Sequence, residues 1–290
     1  MFRKALVATD LTPASAALLS CVGQLKPLGL EEVVLVHVIY VAHTVGLAEQ
    51  LADEAAPQLE RQAAALAAQG IAVRTTMPVG VPAYALANLA DEEEVSVVVI
   101  GSHGRSLLHG LLAGSVALGL LGITITPVLL VRMAIAAAEQ EERCQLACER
   151  FFGKVLFPTD FSETAERAFH YLQHVVKSTG AQVTLLHVQD TARLAPHLTA
   201  RLEEFNQIDQ ERLERMAARL REQGAASVST TVKAGAPLTT ILAEAGAPGY
   251  TSIVMGSQGR GFVAEITLGS VANGVARRAP LPVLFVPAPR

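Results

Sequence analysis

Two stretches of this chain share a spacing of small residues, GSHGRSLLHGLLAGS at 101–115 and GSQGRGFVAEITLGS at 256–270. Each runs glycine, two residues, glycine, nine residues, then Gly-Ser. The residues are Gly101, Gly104, Gly114 and Ser115 in the first, and Gly256, Gly259, Gly269 and Ser270 in the second. Glycine at the end of a strand lets a ligand come close to the backbone, and it can take a positive φ that turns N–H groups inward. Gly-Ser before an apolar run that begins at Val116 or Val271 reads as the start of a helix. The unpaired N–H groups and dipole there attract an anion, and the serine adds a hydroxyl donor. The chemistry is phosphate binding. Neither GxxxxGK[ST] nor GxGxxG occurs, which excludes the P-loop and the dinucleotide fingerprint.

Each glycine stretch has an acidic residue upstream, Asp10 in VATD and Asp160 in FPTD, at the end of an apolar run. Such a carboxylate can accept from ribose hydroxyls or reach a phosphate-bound metal through water. It can equally cap the helix that begins two residues later. The two roles are compatible, and the ligand role is preferred at this edge of a sheet. His37 and His187 sit inside apolar runs and read as structural histidines. Arg105 and Arg260 follow the second glycines, and His103 has Gln258 as its counterpart. These read as solvated loop residues rather than catalysts. No paired carboxylates, Ser-His-Asp set or zinc spacing stands out, and Cys144 and Cys148 read as free thiols.

The elements that must position these residues occur twice. Asp10 maps on Asp160 and His37 on His187, 150 positions on; Gly80, Pro82, Gly101 and Pro127 map on Gly235, Pro237, Gly256 and Pro282, 155 positions on. Five added residues therefore enter the second copy between its second and third strands, where a helix and its loops absorb them. Apolar, β-branched runs predict strands at 4–9, 33–39, 71–77, 95–100 and 127–132, and again at 154–158, 182–188, 228–233, 251–255 and 282–286. Their continuous apolarity predicts a parallel sheet covered on both faces. Helices are expected over 13–28, with Thr12 as N-cap and Pro13 at the first position, over 46–69, from Pro82, and over 197–222. The order βαβαβαβαβ defines a doubly wound α/β domain with right-handed crossovers. The expected division is a first domain at 1–133, a helical linker at 134–152 and a second domain at 153–290.

Composition narrows the class. The 290 residues carry a net charge of −4, which argues against a nucleic-acid binder that neutralises phosphates. Hydrophobic residues make up 51% and aromatic ones 4%, so the core is aliphatic. Three cysteines are too few for a disulfide framework, and MFRKALVATD lacks a signal-peptide core. A reduced, cytoplasmic setting is expected. The run from Gly110 to Val131 has no charge and is long enough to span a bilayer. Its glycines, Pro127 and the charged counterpart bearing Glu265, Arg277 and Arg278 favour a soluble reading without a membrane span.

On G-x2-G-x9-G-[ST], present twice with an upstream Asp, both halves resemble the universal stress protein (UspA) family, and the whole chain resembles a tandem member. The resemblance implies two adenine nucleotide α-hydrolase-like domains of five strands each, joined as a pseudo-dimer through TPVLLV and LPVLFV. It implies binding of ATP, ADP or AMP, with magnesium carried only by the nucleotide. Adenine would lie against the backbone of Val38 and Val188, and ribose at Asp10 and Asp160. The phosphates would rest on Gly101, Gly104, Gly114, Ser115 and Val116, and on Gly256, Gly259, Gly269, Ser270 and Val271. It also implies a stress-response role, regulatory or protective, as a homodimer. A slow ATPase is the alternative, and a flavin-type electron carrier a more distant one. Two departures stand out: Ala8 replaces Pro158, and Leu118, Gly122 and Ile123 replace Asn273, Arg277 and Arg278. The second turns a polar helix face apolar, as a contact with the linker helix or another protein would require.

Overall fold

The computed structural model describes residues 1–41, 46–102, 114–132, 151–190, 202–259 and 268–288. The chain divides into two compact units, Met1–Arg150 and Phe151–Arg290. In the first, the elements run β1 (Lys4–Ala8), α1 (Pro13–Val22), β2 (Glu32–Val36), α2 (Leu47–Ala67), β3 (Ala72–Thr76), α3 (Pro82–Glu92), β4 (Val97–Gly101), α4 (Ser115–Ile123) and β5 (Val128–Val131). In the second they run β6 (Lys154–Thr159), α5 (Glu163–Thr179), β7 (Gln182–Asp190), α6 (Leu202–Glu222), β8 (Ser227–Gly235), α7 (Pro237–Ala245), β9 (Ser252–Gly256), α8 (Ser270–Arg278) and β10 (Val283–Val286).

Strand alternates with helix because apolar β-branched runs alternate with capped, amphipathic ones. Each unit is a parallel sheet. The order is β3-β2-β1-β4-β5 in the first and β8-β7-β6-β9-β10 in the second. Strand order reverses between β1 and β4, and between β6 and β9, so a crevice opens beyond their carboxyl ends. In the second unit Phe157 of β6 meets the buried stripe of α5, while the neighbouring buried Leu156 faces the other side of the sheet. That stripe is Ala165, Ala168, Phe169, Leu172, Val175 and Val176, spaced as one helix face requires. The Phe157 and Phe169 rings meet edge to face, 5.8 Å apart between centroids.

Helix starts follow the chemistry of their caps. Thr12 accepts from Ser15 N–H at 3.3 Å ahead of α1, and Ser162 from Ala165 N–H at 3.2 Å ahead of α5. Pro13, Pro82 and Pro237 occupy first positions, where a missing N–H costs nothing. The helix expected over 13–28 stops at Val22, and Gly23–Leu28 continues as a 3-10 turn. Pro27 removes an N–H and crowds the carbonyl four residues back, which ends the α-helix. The uncharged run likewise breaks into α4 and the buried strand β5, with Pro127 between them. Among the described residues no helix is long and apolar enough to cross a membrane.

Cys21 is buried on α1, its Sγ 3.5 Å from Ala17 O. Cys144, Cys148 and most of the expected linker helix lie outside the described residues. Leu118, Gly122 and Ile123 are half-buried on α4. Closer in, α4 packs on α3 tightly enough that a Cβ at Gly119 would stand 3.0 Å from the Ala83 Cβ.

Candidate functional site

The turn after the first strand of each unit has one hydrogen-bond pattern. Thr159 Oγ1 accepts from Phe161 N–H at 3.0 Å, and Asp160 Oδ1 accepts from Ser162 N–H at 3.0 Å. In the first unit Thr9 Oγ1 accepts from Leu11 N–H and Asp10 Oδ1 from Thr12 N–H, both at 3.0 Å. The residue after each aspartate is left-handed without being glycine, Leu11 at φ 65° and Phe161 at φ 58°. Such a conformation costs on the order of 1–3 kcal/mol, and here the threonine and aspartate bonds hold it from both sides. One aspartate oxygen locks the start of the helix, which is the capping role, and the carboxylate lies at the carboxyl edge of the sheet.

Each histidine closes the same turn from the next strand. His187 Nδ1 donates to Thr159 O at 2.7 Å, and His37 Nδ1 to Thr9 O at 2.9 Å. The structural reading of both residues accounts for that nitrogen. It does not account for the other one of His187, whose Nε2 lies 3.3 Å from Asp209 Oδ2. Asp209 arrives from α6, where sequence neighbours of the histidine give no sign of it.

The glycines hold their places for reasons of clearance. A Cβ on Gly259 would come within 2.6 Å of Asp160 Oδ2, and one on Gly269 within 3.3 Å of Ser257 O and Gln258 Cα. One on Gly256 would press on the start of α5, at 3.0 Å from Thr164 Cγ2 and 3.3 Å from Ala165 N. Gly101 does not use the positive φ open to glycine; it ends β4 in extended backbone. Gly114 and Gly269 are helix N-caps at φ −61° and −59°. Their own N–H groups donate to Ser102 O and Ser257 O, at 2.5 and 2.8 Å. These bonds fix the first turns of α4 and α8, and the glycine caps have no side chain to occupy the N–H groups that follow.

In the second unit a cleft of about 1020 Å³ opens at this edge. Asp160, Val188, Gly256, Gly259, Gly269, Ser270 and Val271 all line it. Gln258 lines it too, while Arg260 lies outside the described residues. In the first unit Asp10, Val38, Gly101, Gly114, Ser115 and Val116 hold the corresponding places, at the carboxyl ends of β1, β2 and β4 and the start of α4. Gly104, His103 and Arg105 lie outside the described residues. The units differ at the aspartate. Asp10 Oδ1 accepts from Thr12 N–H, from Thr12 Oγ1 at 2.7 Å and from Ser15 Oγ, and its Oδ2 is sealed from solvent with no partner among the described residues. Ala165 stands where Ser15 does, so that third donor is lost to Asp160.

Sequence reasoning missed one wall of the cleft. Phe205, Ile208, Asp209 and Arg212 of α6 line it, spaced i, i+3, i+4 and i+7 as one helix face. That periodicity was the available signal. Gln189 of β7 donates from Nε2 to Asp209 Oδ2 at 3.1 Å, and Arg212 Nη1 lies 3.6 Å from Asp209 Oδ1. The Phe161 ring packs on His187 at 4.6 Å, and the Arg212 guanidinium lies 5.2 Å from the same ring.

Fold and site define a class: a tandem of doubly wound α/β domains with a helix N-terminus, an aspartate and close-packed glycines at the strand-order reversal. The chain belongs to the universal stress protein family, which matches it over residues 1–132 and 152–287. It is 32% identical over 154 residues to universal stress protein MJ0577 of Methanocaldococcus jannaschii, an alignment covering 47% of this chain and 94% of that one. Universal stress protein YxiE of Bacillus subtilis is 29% identical over 148 residues, 46% of this chain and all of that protein. These relatives correspond to one unit. A crystal structure of a universal stress protein from Archaeoglobus fulgidus matches both, covering 99% of each chain at 27% identity with a TM-score of 0.74.

Proposed function

We propose that the cleft of the second unit holds an adenine nucleotide, and that the chain is a nucleotide-binding stress-response protein with a regulatory role. The observation that carries this reading is convergence. The first turn of α8 with Ser270, the Asp160 carboxylate and the close-packed Gly256 and Gly259 meet in one cleft of about 1020 Å³. Its size suits a ligand of nucleotide scale. Phosphates lie over Gly256, Gly259, Gly269, Ser270 and Val271, where N–H groups and helix dipole favour an anion. Ribose hydroxyls donate to Asp160, and the base lies along the backbone at Val188. The first unit offers the equivalent set of Asp10, Val38, Gly101, Gly104, Gly114, Ser115 and Val116, and magnesium accompanies the phosphates. Bound nucleotide acts by its differential affinity for two states of the chain, which is what a regulatory ligand requires.

The test is to denature purified protein and quantify released nucleotide by chromatography, with a parallel thermal-shift titration of ATP and magnesium. Released adenine nucleotide, or stabilisation of about 2.7 kcal/mol at a hundredfold excess over Kd, is expected. No nucleotide and no shift would overturn the reading.

A further inference from the structure

We propose that His187 and Asp209 are positioning residues that share one proton beside the cleft, and that this proton holds α6 in place as its wall, so that nucleotide affinity falls as pH rises. The ligand half of this rests on the nucleotide reading above; the proton half rests on geometry alone. Thr159 O carries only lone pairs, so the 2.7 Å contact places a proton on His187 Nδ1. Nε2 faces Asp209 Oδ2 at 3.3 Å, with the two side chains 6% and 14% exposed. Without a further proton, a nitrogen lone pair would face a carboxylate oxygen in a place largely shut off from water. The proton belongs on the imidazole, because the Phe161 ring at 4.6 Å presents its electron-rich face to a cation.

Other charged groups lie on the elements around the pair. From α6 come Asp209 itself and Arg212; Asp160 precedes Phe161 at the end of β6, and Asp190 ends β7. On β8, Lys233 pairs in register with Val188 and is bound by Glu244 of α7 at 2.6 Å. Gln189 and Arg212 keep two contacts to Asp209 in either protonation state. Only the His187 contact turns from attraction to repulsion when the proton leaves. The helix it tethers supplies Phe205, Ile208 and Arg212 to the cleft. Loss of the proton therefore loosens the wall against which the ligand packs, and by linkage the ligand favours the protonated pair.

The first unit is a built-in control. His37 keeps the bond to Thr9 O. The buried Leu59 and Leu66 of α2 align with Leu213 and Leu220 of α6, 154 positions on, which puts Ala55 where Asp209 stands (209 less 154). Ile39 likewise stands for Gln189.

The experiment compares the full chain with Asp209→Asn, whose amide can donate to a neutral Nε2 and needs no proton. ATP affinity of the natural chain is expected to weaken at least about fivefold from about pH 6 to pH 9, with a limit of about tenfold per pH unit for strict coupling. In Asp209→Asn the profile is expected to flatten to within about twofold. The phosphate's own ionisation and any binding in the first unit are common to both proteins. Two readouts need no ligand. Ring 15N shifts of His187, assigned by their loss in His187→Gln, should report an imidazolium that persists to higher pH in the natural chain than in Asp209→Asn. Amide exchange over 205–212, corrected for its intrinsic rate, should accelerate at high pH only in the natural chain. Identical ring titrations would overturn the shared proton. Distinct ring titrations with identical exchange would overturn its hold on α6. If ATP fails to bind at any pH, the nucleotide reading falls, and the two ligand-free readouts still decide this one.

Discussion

Two glycines three residues apart separate a packing role from a ligand role. A Cβ on Gly256 would press on Thr164 and on the backbone of Ala165 in the first turn of α5, which Ser162 holds in place. Gly256→Ala is therefore expected to lower stability by about 1–3 kcal/mol, read as a lower urea midpoint. A Cβ on Gly259 would meet Asp160 Oδ2 at 2.6 Å, the end of a side chain rather than backbone, and a small torsional change moves that oxygen while Oδ1 keeps its bond to Ser162 N–H. Gly259→Ala is expected to leave the midpoint within about 0.5 kcal/mol while weakening ATP binding at least about tenfold, by moving the ribose acceptor. Equal losses of stability in both variants would show that Gly259 too is only scaffold. The spacing of these glycines is plain in the sequence, but the physical reason for it is not. Glycine in a sequence announces either an unusual φ or a missing Cβ, and only coordinates tell that Gly256 and Gly259 are here for the second reason. Asp209 was hidden differently: its partner His187 lies 22 residues away on another element, and only its spacing with Phe205, Ile208 and Arg212 puts it on the inward face of the helix.

At the scale of elements, the central strands were legible because burial on both faces writes unbroken apolar runs, whereas the edge strands β3 and β8 are largely exposed and polar; caps and prolines mark the helix starts. Legibility failed at ends set by competition, as in the Gly23–Leu28 turn, where helix-forming neighbours outnumber one disruptive Pro27. Elements also communicate through polar ties that no periodicity reveals. Lys233 of β8 holds Glu244 of α7 at 2.6 Å, and Tyr250 Oη donates to the same carboxylate at 2.8 Å. These bonds, that of Lys233 first, depress the Glu244 carboxyl below its ordinary value of about 4.5. A depressed carboxyl contributes stability that is complete above the unfolded value and is lost as pH falls through the folded one. The pair is partly exposed, so its worth is about 0.5 kcal/mol rather than the full Coulomb energy. Glu244→Gln is thus expected to cost about that much at pH 7 and nothing at a pH acid enough to protonate the carboxyl in the folded chain. Urea midpoints at the two pH values check this, and an equal cost at both would assign the residue a packing role. Because Pro237, Leu238 and Ile241 of α7 line the cleft, this tie also steadies the site.

At the scale of the whole molecule, one domain has been written twice, and the two copies have since diverged beside the carboxyl edges of their sheets while keeping their frame. The frame persists because strand pairing and helix capping depend on residues the copies share: the turn at Thr9–Asp10 and Thr159–Asp160, the histidine-to-carbonyl bond, and the Gly-Ser helix start. Some of the divergence lies beside the shared aspartates. In the first unit Ser15 adds a donor to the Asp10 carboxylate, already engaged by Thr12 through both N–H and hydroxyl. An acceptor occupied by local donors offers less to ribose hydroxyls, so the first site is expected to bind nucleotide more weakly than the second. One hydrogen bond of about 0.5–1.5 kcal/mol corresponds to roughly two- to tenfold in affinity. Calorimetric titration of the natural chain with ATP should then show one tight and one weak site. Ser15→Ala should tighten the weak site by that factor and leave the tight one alone, and Ala165→Ser should do the reverse. Two equal sites in the natural chain, or a Ser15→Ala titration that superimposes on it, would mean that the donors at Asp10 stabilise the turn without competing for ligand, and the inequality of the two copies would have to lie elsewhere.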